Sequence, residues 1–255
     1  MSNKKFRKRS RHYPELDLEE NPTSSKIKAP KIESDLGLAF KINQRFTPTP
    51  RQQKFLEYAL DPTTQMIFCE GPAGTTKTYY AAYVGLRLLK EKKVNEILYV
   101  RSIVESARKA MGSLPGEVGD KFRPWMKPLL EKCDELIGTH TVDDLIKRNL
   151  VRCEPVNYLR GSTFKDCVVI VDETQNLELS EIITIMTRIG TNCKMFFLGD
   201  SFQSDIFKTC FERVKNNFSD PECEAKGIRT VAYTEEDIVR SEILKFIVSR
   251  LNRLK

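Results

Sequence analysis

The stretch Gly71-Pro72-Ala73-Gly74-Thr75-Thr76-Lys77-Thr78 links an apolar run at 65–71 (QMIFCEG) to a run with helical spacing read at 77–91. It fits the phosphate-binding pattern G-x-x-x-x-G-K-[ST] at Gly71, Lys77 and Thr78, with Thr76 where the second glycine belongs. In such a loop, backbone N–H groups from Gly74 to Thr78 wrap anionic oxygens, and the helix that follows aims its positive end at them. Lys77 adds an ammonium for the β and γ phosphates, and the Thr78 hydroxyl is of the type that ligates Mg²⁺. Thr76 is the departure. If its φ is positive, a β-branched residue there costs about 1–2 kcal/mol; if φ is negative, the cost is mainly lost room.

Four more apolar runs follow the first: EILYVRS (96–102), CVVIVDE (167–173), KMFFLGD (194–200) and GIRTVAYT (227–234). Continuous apolar runs of this length are what a parallel sheet buried on both faces requires. Helical spacing is read between them at 77–91, 179–190 and 241–254, and Pro50 is placed to open a helix through Phe55, Leu56 and Leu60. The alternation predicts an α/β fold, a doubly wound and mainly parallel sheet of the P-loop type. Ligands of such sheets sit off the carboxyl ends of the strands. Three runs end there in chemistry: Gly71 and its loop, Asp172-Glu173, and Gly199-Asp200.

Each ending has a catalytic and a plain structural reading. Asp172 closes an apolar run, as a metal-organising carboxylate does, and Glu173 beside it would orient and polarise an attacking water. The plain alternative is a strand that ends in solvated charges. In GDSFQSD, Asp200 and Gln203 would sense a γ-phosphate and its water, or else form a polar turn in which Ser204 caps the next helix. Arg240 in EEDIVRSEIL is either an arginine finger for the charge that develops on a transferring phosphoryl group or the i+4 partner of Glu236. Trp125, among Lys121, Arg123 and Lys127, is either a core anchor or a base-stacking platform.

With 255 residues, 40% hydrophobic and 30% charged, the chain has room for one large α/β domain. No apolar run reaches the roughly 18 residues of a membrane span, and the basic N-terminus leads into no signal-peptide core, so a cytoplasmic protein is expected. Seven scattered cysteines without a C-x-x-C pair, and two histidines, His12 and His140, argue against a disulfide framework, a zinc centre or a Ser-His-Asp triad. Residues 1–46 hold eleven Lys/Arg against six Asp/Glu, which is five of the seven net positive charges. That segment is read as a basic, disordered extension and 47–255 as the domain. The extension is either a solvated tail or an arm that tracks nucleic-acid phosphates.

Taken together, GPAGTTKT, MGSLPGEVGDKFRPWMKPLLEKCDEL, YLRGSTFKDCVVIVDETQN, KMFFLGDSFQSD and DIVRSEIL resemble the PhoH family of P-loop ATPases over residues 48–255. The resemblance implies a core like that of RecA and the superfamily 1 helicases, with ATP binding and hydrolysis. It also implies action on RNA or single-stranded nucleic acid and a ring-like homo-oligomer, a hexamer among the options. Carried over by position, it assigns Gly71 to Thr78 to the ATP phosphates and Mg²⁺, and Asp172 and Glu173 to the Walker B pair. Gln203 becomes the γ-phosphate sensor, Arg240 the finger, and Gln52, next to Gln53, the adenine-side glutamine. Arg101 and Arg160 fall at arginine positions of the family. Neither the nuclease domain nor the RNA-binding module that some members carry is visible, and the compact architecture is similar to the forms found in bacterial viruses. From a different class, an ATP-binding regulatory or scaffold protein with little turnover is the alternative that Thr76 suggests.

Overall fold

The computed structural model describes residues 38–101, 118–159, 161–200, 210–239 and 241–251, and of 118–123 and 157 the backbone alone. In chain order the elements are α1 (Pro50–Leu60), β1 (Met66–Glu70), α2 (Lys77–Lys90), β2 (Glu96–Arg101), α3 (Val118–Ile137), α4 (Thr139–Lys147), β3 (Val151–Cys153), β4 (Cys167–Asp172), α5 (Leu179–Met186), β5 (Cys193–Gly199), α6 (Phe211–Asn217), α7 (Pro221–Ala225), β6 (Ile228–Ala232) and α8 (Glu242–Leu251). The strands form one sheet in the order β3-β2-β4-β5-β1-β6. Every pairing in it is parallel.

The apolar runs become the central strands because each must be covered on both faces. All six residues of β4 are buried. On one face Phe68 of β1 and Phe197 of β5 stack at 5.1 Å and join Phe211, Ile182 and Ile185 in the core. On the other, Phe196 of β5 meets Phe55 of α1 edge-on at 5.6 Å. That two-sided cover is the doubly wound arrangement the alternation predicts.

Among the elements outside the sequence reading are β3 and α3. β3 is a three-residue edge strand paired to β2, too short to register as an apolar run. α3 runs through Pro124 and Pro128, which break helices in isolation. Met126, Leu129, Leu130, Cys133, Leu136 and Ile137 are buried at helical spacing along it, and the helix packs on α2. That burial outweighs the proline penalty. Trp125, one of its residues, is half-buried.

Upstream of α1 the chain is packed from Phe40, which is buried. Asn43 N–H donates to the Leu136 carbonyl at 2.8 Å, and Arg45 N–H to the Tyr79 hydroxyl at 2.8 Å. α1 opens on a capping box between Thr49 and Gln52, with Pro50 in its first turn. All seven cysteines are free thiols, four of them buried. Among the described residues no helix is long and apolar enough to cross a membrane.

Candidate functional site

β1 delivers its chain into the loop at Gly71, whose N–H donates to the Gly199 carbonyl of β5 at 3.1 Å. The loop then turns through Gly74 at φ +84° and Thr76 at φ +62° before α2 begins at Lys77. Both are left-handed positions, so the conditional cost at Thr76 applies, about 1–2 kcal/mol for a non-glycine residue. The loop is held by local bonds: Thr75 Oγ1 donates to the Pro72 carbonyl at 2.7 Å, and Val239 N–H reaches the Gly74 carbonyl at 3.4 Å. Gly71 tolerates no larger residue. A Cβ there would lie 2.6 Å from Cβ of Tyr233. Gly71→Ala is therefore expected to destabilise the fold by about 1–3 kcal/mol through overpacking, read as a lower midpoint in urea unfolding.

β4 ends beside this loop although β5 lies between them in the sheet. Thr78 Oγ1 donates toward Asp172, 3.2 Å from each carboxylate oxygen. Asp172 is buried, and it also accepts from the Tyr99 hydroxyl at 2.8 Å and from Glu173 N–H at 3.1 Å. Burial pushes its carboxyl above the usual carboxylate range and the neighbouring Glu173 charge adds to that, while the Tyr99 bond, Arg101 and Lys77 oppose it. Glu173, next in the chain, is a second non-glycine residue in the left-handed region, φ +53°. That conformation turns the chain out of the strand. Its carboxylate accepts from Gln175 Nε2 at 2.6 Å and lies 3.8 Å from the Arg101 guanidinium. Gln175 in turn accepts from Asp200 N–H at 3.0 Å, tying the ends of β4 and β5 together.

These groups share one cavity of about 460 Å³ lined by Gly74, Thr76, Lys77, Thr78, Asp172, Glu173, Gln175, Gly199 and Asp200. Its remaining wall includes Arg45, Phe46, Tyr79 and, from α3, Glu131, Lys132 and Glu135. Lys77 Nζ donates to the loop's own carbonyls of Gly71 at 2.5 Å and Pro72 at 3.0 Å. The loop, Lys77, Thr78, Asp172 and Glu173 are thus brought together. Gln52 is wholly buried and does not line the cavity. Glu236, the alternative partner read for Arg240, pairs with Arg51 at 3.0 Å. Gln203, Ser204, Arg160 and Arg240 lie outside the described residues.

Sequence reasoning missed Tyr99 and Gln175 as partners of the acidic pair. Tyr99 is two residues before Arg101, which faces Asp172 across the β2–β4 pairing, so both side chains share its face of the sheet. Only that register reveals it.

A parallel sheet, a glycine-bearing strand-to-helix loop with Lys77 and Thr78, and an acidic pair on a neighbouring strand end define a P-loop nucleotide-binding fold. The family model for PhoH-like proteins matches residues 45–252. The chain belongs to the PhoH family. It is 32% identical over 189 residues to a PhoH-like protein of Synechocystis, covering 73% of this chain and 56% of that one. To a PhoH-like protein of Bacillus subtilis it is 31% identical over 191 residues, covering 74% and 58%. Protein PhoH of Escherichia coli is 28% identical over 229 residues, covering 88% and 64%. The chain thus spans little more than half the length of the first two of these relatives. Among solved structures, the large terminase of a thermophilic bacteriophage superposes with a TM-score of 0.49 at 13% identity, over 80% of this chain and 50% of that one.

Proposed function

We propose that this chain is a Mg²⁺-dependent ATPase that couples hydrolysis to work on RNA or single-stranded nucleic acid. One observation carries the reading: Thr78 Oγ1 is 3.2 Å from both oxygens of buried Asp172, in the cavity that Lys77 and Glu173 also line. The pair suits a hard cation, since both donors are oxygens. Among the described residues no cluster of three acidic, His or Cys side chains exists, so phosphate and water would complete the shell, as is usual for Mg²⁺. The ion would supply charge neutralisation at the phosphate oxygens.

The chain's own residues do the rest. Loop amides from Gly74 to Thr78 bind the phosphate oxygens, and Lys77 Nζ turns from its two carbonyls to the β and γ phosphates. Glu173, fixed by Gln175, orients the attacking water and takes its proton. Gln203 as γ-phosphate sensor and Arg240 as finger, acting within the chain or across a ring of copies, complete the proposal on the family pattern. The basic segment read at 1–46, short of the packed residues from Phe40 on, is the proposed nucleic-acid arm, and the rest of the chain the ATPase body. Steady-state phosphate release with and without single-stranded RNA tests the motor. Turnover that RNA does not raise removes the coupling, and no turnover removes the ATPase.

The left-handed Thr76 favours a second reading, ATP binding with little turnover. Thr76→Gly removes about 1–2 kcal/mol of backbone strain. If that strain is released in the bound complex but felt in the transition state, phosphate release should rise by about 5- to 30-fold. An unchanged kcat would show that Thr76 is no brake.

A further inference from the structure

A nucleotide-binding protein that selects adenine has to offer its edge a polar group, and the two glutamines at the start of α1 are not available for it. Gln52 Oε1 accepts from Thr49 N–H at 2.9 Å. Its Nε2 lies 3.2 Å from the Thr75 carbonyl, 3.2 Å from Thr76 Oγ1 and 2.9 Å from the Asp237 carbonyl. An amide nitrogen has two N–H donors, and three acceptors already compete for them. Gln52 therefore clamps the loop to the turn at Asp237 from the inside of the fold. Gln53 is exposed and donates to Glu57 at 3.2 Å. Neither lines the cavity.

A triphosphate gripped by residues 71–78 with its γ end at Asp172 leaves its nucleoside in the remainder of the same cavity. That remainder is lined by Arg45, Phe46 and Tyr79, with Lys132 and Glu135 of α3. Phe46 is seated edge-to-face on Tyr79 at 5.2 Å, and the Arg45 guanidinium lies 5.7 Å from the centre of the Phe46 ring. Tyr79 directly follows Thr78, so this aromatic and cationic corner is fixed to the first turn of α2. Lys132 and Glu135 bond to each other at 2.6 Å on a solvated helix face.

Resting on the nucleotide-site reading above, we infer that the base is held by stacking against Phe46 and Arg45, with neither Gln52 nor Gln53 reading its edge. The site then takes adenine and guanine nucleoside triphosphates with little distinction. Stacking on a ring or a guanidinium tolerates any base, because every base has a π face. Lys132 and Glu135, the polar groups on this wall, are satisfied by each other and demand no particular base edge. Strong discrimination, on the order of 10⁴-fold, needs buried polar groups left unpaired by the wrong base, and these are solvated.

Calorimetry with ATP, GTP and inorganic tripolyphosphate on the full chain tests this. ATP and GTP are expected to bind within about tenfold of each other. Phe46→Leu, which keeps apolar packing on Tyr79, should weaken both by about tenfold and leave tripolyphosphate unchanged. Gln52→Ala should weaken all three by one common factor. The inference is overturned if ATP is preferred over GTP by more than about 100-fold, if Phe46→Leu leaves ATP affinity unchanged or weakens tripolyphosphate equally, or if Gln52→Ala weakens ATP alone. If the wild-type chain binds tripolyphosphate but neither nucleotide, the stacking corner fails while the loop stands. If it binds none of the three, the nucleotide site itself fails and this inference with it.

Discussion

Glu173→Gln is expected to lower steady-state phosphate release by about 10²–10⁴-fold, the usual worth of a positioned general base, while ATP binding stays within a few-fold of wild type. The amide keeps the size of the carboxylate and one acceptor oxygen for the bond from Gln175, so the link from Gln175 to Asp200 N–H persists. What it loses is the ability to take a proton. The left-handed backbone at Glu173 is no worse for glutamine than for glutamate, and stability should change little. Single-turnover hydrolysis together with calorimetric ATP affinity separates the effects. Loss of affinity equal to the loss of rate would mean that Glu173 serves binding rather than the water. Turnover near the wild-type rate would remove it from the mechanism.

Lys77→Ala acts earlier in the same sequence of events. It should abolish detectable ATP binding at micromolar protein and lower turnover by about 10²–10³-fold, as removal of a charged donor aimed at the reacting oxygens does. The ammonium donates to the Gly71 and Pro72 carbonyls of its own loop. Gly71 N–H to Gly199 and Thr75 Oγ1 to Pro72 hold that loop without it. The unfolding midpoint should therefore stay near wild type. A variant that keeps ATP affinity would show that the loop amides alone carry the phosphates. One that melts far below wild type would recast Lys77 as a structural brace.

Much of this site was legible before any coordinates. Lys77 and Thr78 are named by a spacing whose physics is local: a loop of amides opening a helix needs its ammonium and hydroxyl at the first helical positions. The apolar runs ending in Asp172 and in Gly199 were legible for a similar reason, since a strand covered on both faces has few ways to be written. α3 was not legible, because two prolines argue locally against a helix that is kept by its buried face on α2. Nor was Gln52. Its residue type fits a base-reading role and a capping box equally, and the bonds it makes to the Thr75 carbonyl and to the turn at Asp237 appear only in the fold.

The sequence by itself determined the kind of fold and which loop and acidic residues meet in the cavity, because both follow from short-range patterns of burial and hydrogen bonding. Tertiary structure alone decided the strand order that sets β5 between β1 and β4 and brings Thr78 within 3.2 Å of Asp172. It also decided the left-handed turn at Thr76, the Tyr99 bond to Asp172 and the burial of Gln52. Each of these depends on which distant segment a backbone pairs with or packs against, and a pairing energy between segments up to 185 residues apart is not written in either segment alone.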